Sequence, residues 1–281
     1  MAVLVFPAPI GPTSRTASIL PERSSSRNPS HPFRFILPIL AVRDSDHRDR
    51  ASMSIARRTH ELSSTGPYGS NSLGMLYAEV DLGRIRKNLE RLRELVREVS
   101  LLFVVKGDAY GHGLEEVAPA TADLVDWFGV ESLDEGLLIR SLGLENPILV
   151  MVPPPPEDLA EVIRLGFHFV LGDRSLIREA ERAAARIGRP AFVHIPVDTG
   201  MGRYGFLPEE LDGILRELSY CVGIVPVGIY SHLSSAHGAS HEDIAFTRAQ
   251  IDLFLVVLAR LRRRGVSFPW VHFANSPGLL S

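Results

Sequence analysis

Hydrophobic positions fall into two alternating rhythms from residue 77 onward. Residues 77–82 read as a short strand. Residues 84–99 read as a helix, because Ile85, Leu89, Leu92, Leu95 and Val96 share one face with Arg and Glu between them. Residues 101–106 are a continuous apolar run ending in a charge, the pattern of a strand buried on both faces. The same pattern predicts strands over 127–130, 147–152, 168–171, 192–197, 225–231 and 270–274. It predicts helices over 114–122, 133–142, 156–165, 175–187, 208–218 and 243–264. Strands alternating with helices imply βαβ units and a parallel sheet. Seven strand–helix steps follow from Leu101, the last unfinished. No Gly-x-Gly-x-x-Gly follows the first strand, which argues against a dinucleotide fold. The expectation is an α/β fold, a (β/α)8 TIM-like barrel with its site at the C-terminal strand ends.

Residues 1–75 follow neither rhythm. They hold nine Arg, no Lys, thirteen Ser and eight Pro among the 281 residues of the chain. Their charge is +4, which leaves −7 for the rest of a chain of net −3. The reading is an unfolded or irregular extension over 1–75, followed by one barrel domain over 76–281. An Arg- and Ser-rich start also resembles a targeting segment. A start assigned too early, with Met53 or Met75 the true one, is the favoured alternative. The weak net charge argues against a general nucleic-acid binder. A single Cys excludes a disulfide scaffold and a Cys-rich metal site, and no metal site is expected. No apolar run approaches the ~18–20 residues of a membrane-spanning helix.

Lysine is scarce: Lys87 and Lys106 stand against twenty-eight Arg. Arg cannot replace Lys where an amine must lose its proton. Lys106 ends the first barrel strand and opens Lys106-Gly-Asp-Ala-Tyr-Gly-His-Gly113. A strand-end amine in the barrel mouth can condense with an aldehyde to a Schiff base, or simply snorkel to water. The glycines beside a helix start suit a phosphate. After the fifth strand comes Asp198-Thr-Gly-Met-Gly-Arg203. There Arg203 either holds an anionic oxygen or pairs with Asp198 to stiffen the loop. The sixth strand ends at Tyr230-Ser-His232, and His232 is a ring-stacking or acid–base group or a satisfied structural histidine. The seventh ends near Asn275-Ser276, which can bond a phosphate or cap the next helix.

Taken together, these motifs resemble a known family. The Lys106 and Asp198 motifs are similar to the two signatures of bacterial alanine racemase, and come in that order. The starts at 77–81 and 84–89, Tyr230-Ser-His232 and 274–276 resemble further elements of it, so the resemblance covers 76–281. It implies pyridoxal 5'-phosphate (PLP) held by Lys106, with the freed amine moving the α-proton on one face. It implies Tyr110 on the phosphate, Arg203 on the cofactor's phenolic oxygen and the substrate carboxylate, and His232 against the pyridine ring. Asn275 and Ser276 belong to the phosphate end. The implied reaction interconverts L- and D-alanine and supplies D-alanine for peptidoglycan, in a cytoplasmic homodimer. Two departures stand out. Many members carry a carbamylated lysine where this chain has Pro196. The sequence also ends at Ser281, before the last barrel strand and the β-rich domain with the opposing tyrosine. The expectation is a truncated racemase, weak or inactive alone. The alternatives are a racemase for another amino acid and a non-catalytic PLP-binding barrel; a PLP decarboxylase or aldolase is weaker.

Overall fold

The computed structural model describes residues 34–35, 55–59, 77–96, 99–273 and 275–280. Before the repeating part come β1 (Arg34–Phe35), β2 (Ile55–Thr59) and β3 (Tyr77–Asp81). β2 and β3 form an antiparallel pair. The remainder of 1–75 lies outside the described residues, and with it most of the expected irregular extension. Helix α1 (Leu82–Leu95) follows, two residues earlier than its apolar face predicts. Asp81 explains the early start: its carboxylate accepts the Arg84 amide at 3.1 Å.

The repeat then runs through β4 (Leu102–Val104), a turn α2 (Lys106–Gly111), α3 (Leu114–Thr121), β5 (Trp127–Val130) and α4 (Leu133–Ser141). It continues with β6 (Ile148–Val150), α5 (Leu159–Arg164), β7 (His168–Val170), α6 (Ser175–Ile187) and β8 (Ala191–Pro196). It closes with α7 (Leu211–Leu218), β9 (Ile224–Tyr230), α8 (His241–Arg263), β10 (Trp270–His272) and α9 (Ser276–Leu280). Every expected strand and helix of this part is present. Helix α5 starts at 159 rather than 156, because Pro153 to Pro156 lack the amides and the free φ an earlier turn needs. Helix α6 ends where expected, on Gly188 at φ 69°, whose amide reaches Ala184 O at 2.8 Å.

The strands from β4 to β10 pair in sequence order, all parallel, and β1 lies beside β10. Side-chain parity divides two interiors. Phe103, Val105, Phe128, Val130, Ile148, Val150, Phe169 and Val193 face the helices and join the main core. Leu102, Val104, Trp127, Leu149, Met151 and Val170 fill the concave side, with Tyr230. The sheet is therefore curled around a packed interior, the arrangement of a barrel rather than an open sheet.

Part of that concave interior is polar. His168, His194 and His272 form a hydrogen-bonded row: His168 Nδ1 to His194 Nε2 at 3.0 Å, and His194 Nδ1 to His272 Nε2 at 2.8 Å. Trp127 packs its ring edge against His168, and Tyr230 stacks on His272 with ring centres 4.5 Å apart. Only glycine fits opposite His194, since a Cβ on Gly228 would lie 2.2 Å from His194 Nδ1. Burial holds these rings neutral: His168 falls to about 4, His272 to about 3, and His194 well below its usual value.

The row makes the fold acid-sensitive. The unfolded chain takes up protons near pH 6.5, whereas the folded chain refuses them until about pH 4 or lower. Stability therefore falls as pH drops from about 6.5 toward 4, by up to about 1.4 kcal/mol per pH unit for each histidine kept neutral. The urea midpoint is expected to be lower at about pH 5.5 than at about pH 7.5. A midpoint that does not move over that interval contradicts a neutral, buried row.

Candidate functional site

Leu102 and Val104 face the concave interior, and Lys106 lies two residues beyond Val104. The strand itself ends at Val104, although the Val105 amide still bonds Gly129 O at 2.8 Å. Lys106 thus opens a turn rather than closing a strand. The backbone then turns left-handed over four residues: Gly107, Asp108, Ala109 and Tyr110 have φ of 61°, 54°, 53° and 56°. Glycine adopts this readily; the other three do not.

Specific partners hold the turn. The Asp108 amide donates to Glu135 Oε1 at 3.0 Å, and Glu135 Oε2 accepts the Glu131 amide at 2.9 Å. Asp108 Oδ1 accepts the Leu114 amide at 2.7 Å, and Asp108 O accepts Gly113 N at 3.0 Å. The first amide of α3 therefore serves Asp108, although the glycine spacing suggested a phosphate there. Tyr110 stands at the rim, 37% exposed. Partial burial pushes its hydroxyl up to about 12, with Glu131 and Glu135 adding to the shift. It stays protonated and can donate to an anion.

The Asp198 side chain organises its own loop. Asp198 does not pair with Arg203 among the described residues. Its Oδ1 accepts the amides of Gly200, Met201 and Gly202 at 2.8, 2.8 and 3.1 Å, and Oδ2 also takes Gly202 N at 3.0 Å. The Arg203 guanidinium lies over the Tyr204 ring, 4.8 Å from its centre.

Lys106, Arg203 and His232 come together although β4 and β9 are five places apart in the sheet. His232 is pushed down to about 4, first by burial, then by the charges of Arg203 and Lys106. Its ring is therefore uncharged near neutral pH. Its carbonyl accepts from Gln250 Nε2 at 3.1 Å, and the same nitrogen reaches Thr199 Oγ1 at 3.3 Å. Thr199 and Ser231 share a hydrogen bond at 2.8 Å, while Gln250 Oε1 accepts the Ser234 amide at 3.1 Å. Buried Gln250 of α8 thereby ties the Asp198 loop to the His232 loop. Nothing in its sequence context marked it, since a single Gln in a long amphipathic helix reads as surface.

Asn275 is buried, donates to Leu233 O at 3.0 Å and accepts the Gly278 amide at 3.1 Å. It caps α9 and fastens it to the His232 loop, and Ser276 begins that helix. Among the described residues no group of three His, Cys, Asp or Glu side chains could hold a metal ion. No helix among them is long and apolar enough to cross a membrane. The donor set fits PLP: an amine for the aldehyde, a neutral ring for the pyridine face, a guanidinium for an anionic oxygen and a protonated phenol for the phosphate.

The Lys106 turn depends on Glu135. Two hydrogen bonds to a charged group contribute roughly 1.5–3 kcal/mol each. Glu135→Ala is expected to speed hydrogen exchange of the Asp108 and Glu131 amides by about tenfold or more, with core strands unchanged. Unaltered exchange at Asp108 contradicts this brace.

The alanine racemase N-terminal domain model matches residues 80–281. An alanine racemase from Symbiobacterium thermophilum is 37% identical over 205 residues, which are 73% of this chain and 54% of that protein. An alanine racemase structure from Bacillus anthracis superposes with a TM-score of 0.67 at 31% identity, over 72% of this chain and 52% of the other. A histidine racemase from Leuconostoc mesenteroides superposes with a TM-score of 0.63 at 26% identity, over 70% of this chain and 52% of the other. The chain spans about half the length of the curated relatives it matches. A curled parallel sheet with its helices, a lysine turn at the mouth and a family match over residues 80–281 agree: this chain belongs to the alanine racemase family and carries its N-terminal barrel domain.

Proposed function

We propose that the chain is the PLP-binding barrel of an amino-acid racemase that interconverts L- and D-alanine. The observation that carries this reading is the family match over residues 80–281, which takes in Lys106, Arg203 and His232. When bound there, PLP supplies an electron sink for the pair left behind by the α-proton. Lys106 is the residue that would hold it through the aldehyde, and its amine is the base for the α-proton on its own face. Arg203 offers a fixed positive charge to the phenolic oxygen and the substrate carboxylate. The uncharged His232 ring would lie against the pyridine ring, and Tyr110 would donate a hydrogen bond to the phosphate. Asn275 and Ser276 complete the phosphate end, with Asn275 fixing the start of α9. In this proposal the protein works as a cytoplasmic homodimer and its product feeds peptidoglycan synthesis.

Racemisation needs a proton donor on the face opposite Lys106. Tyr204 donates to Met151 O at 2.8 Å, and Tyr230 is buried against His272. Neither is available as that donor. A polypeptide of residues 1–281 alone is therefore proposed to exchange the α-proton slowly and to racemise weakly. A second reading, a racemase for a bulkier amino acid, is favoured by the likeness to a histidine racemase.

The test incubates purified 1–281 with PLP and L-alanine or L-histidine in deuterated buffer. Slow α-deuterium exchange on L-alanine is expected, with little D-alanine. The Schiff-base absorbance and the exchange should both vanish in Lys106→Ala. Turnover of about 1–10³ s⁻¹ would place a second base within 1–281. Exchange confined to L-histidine would move the substrate assignment. Absorbance retained in Lys106→Ala would remove the site.

A further inference from the structure

Among the described residues Arg203 is a cation without an anion: no carboxylate pairs with it, and the nearest acid in sequence, Asp198, is engaged by three backbone amides. Pro196, at the end of β8, has no polar side chain to offer. The group that does face the guanidinium is the Tyr204 ring, at 4.8 Å.

That ring is itself fixed. The Tyr204 hydroxyl donates to Met151 O at 2.8 Å, which ties it to the residue after β6. The backbone beyond it is pinned too: the Gly205 amide bonds Gly172 O at 2.9 Å, and a Cβ at Gly205 would come within 3.0 Å of Pro196 O. Gly205 has φ 117°, so the chain can pass this close to β8 only with glycine there.

We infer that Tyr204 is a positioning residue, whose anchored ring holds the Arg203 guanidinium in place by stacking where a carboxylate would otherwise hold it by charge. The inference rests on the reading of Arg203 as the group that meets the cofactor and the substrate carboxylate. Stacking differs from ion pairing in what it leaves free. A carboxylate takes two N–H donors and neutralises the charge, whereas a ring face takes none of the five in-plane donors. Arg203 held this way keeps its whole charge and its donors for an incoming oxyanion.

The test uses the 1–281 polypeptide with ¹⁵N-labelled arginine, and variants Tyr204→Phe, Tyr204→Leu, Arg203→Lys and the Arg203→Lys/Tyr204→Leu pair. Circular dichroism checks that each folds. Without cofactor, the Arg203 Nε–H resonance, assigned by its loss in Arg203→Lys, is expected to be shifted upfield by the ring. The shift should persist in Tyr204→Phe and vanish in Tyr204→Leu. Titration with PLP is expected to show about threefold or greater weakening in Tyr204→Leu and less in Tyr204→Phe. In the Arg203→Lys background, Tyr204→Leu should add nothing further. A resonance unmoved by Tyr204→Leu overturns the stacking, whatever the affinities. PLP affinity unchanged in Tyr204→Leu, or lost equally in both backgrounds, overturns the positioning role. Affinity unchanged in Arg203→Lys removes the cofactor reading of Arg203 and this inference with it, even if the resonance shows the rings and cation in contact.

Discussion

Three residues with side chains, Asp108, Ala109 and Tyr110, follow Gly107 in a left-handed backbone, at a cost of roughly 1–2 kcal/mol each. The site depends on that turn being held. It lets the chain leave β4 abruptly, with Lys106 at its start and the exposed Tyr110 four residues later. The offset comes from the Glu135 carboxylate on α4, which takes the Asp108 amide, and from the first amide of α3, which the Asp108 side chain accepts. Strain of this kind persists only where its surroundings over-determine it, and here two neighbouring elements do so.

Polar side chains brace the other loops too. Asp198 gathers three amides of its own loop, Gln250 ties that loop to the one carrying His232, and Asn275 ties the latter to α9. Buried Gln250 and Asn275 thus fix the loops on either side of His232. Beneath them, the histidine row and Trp127 fill the concave interior with rings that burial keeps neutral. A neutral floor leaves Lys106 and Arg203 as the charges that act on His232 at the mouth.

Much of this was legible in the residues, and the reasons for the exceptions are physical. The strand and helix order followed from hydrophobic rhythm because a parallel sheet buried on both faces cannot hide it. The Lys106 and Asp198 motifs stood out by composition. The left-handed turn did not, because propensity allows such a backbone only to Gly107 and says nothing of Asp108, Ala109 or Tyr110. The histidine row joins residues 26 and 78 positions apart, so only strand register reveals it. Parity puts His194 on the concave side, opposite to Val193 and Ile195, which join the main core. Asp198 followed by glycines two and four residues on is an Asx-turn signal. That signal was present in the residues beside the two readings of Arg203.

The central claim is that the barrel mouth presents one amine, Lys106, to an aldehyde cofactor. The chain offers a clean discrimination because Lys87 is its only other lysine. Purified protein saturated with PLP, reduced with borohydride and digested, can be mapped by mass spectrometry for the pyridoxyl adduct. The account predicts one adduct per chain, on the peptide bearing Lys106, suppressed by unfolding the protein before PLP is added. An adduct spread over Lys87 and the amino terminus, with Lys106 unmodified, would contradict it.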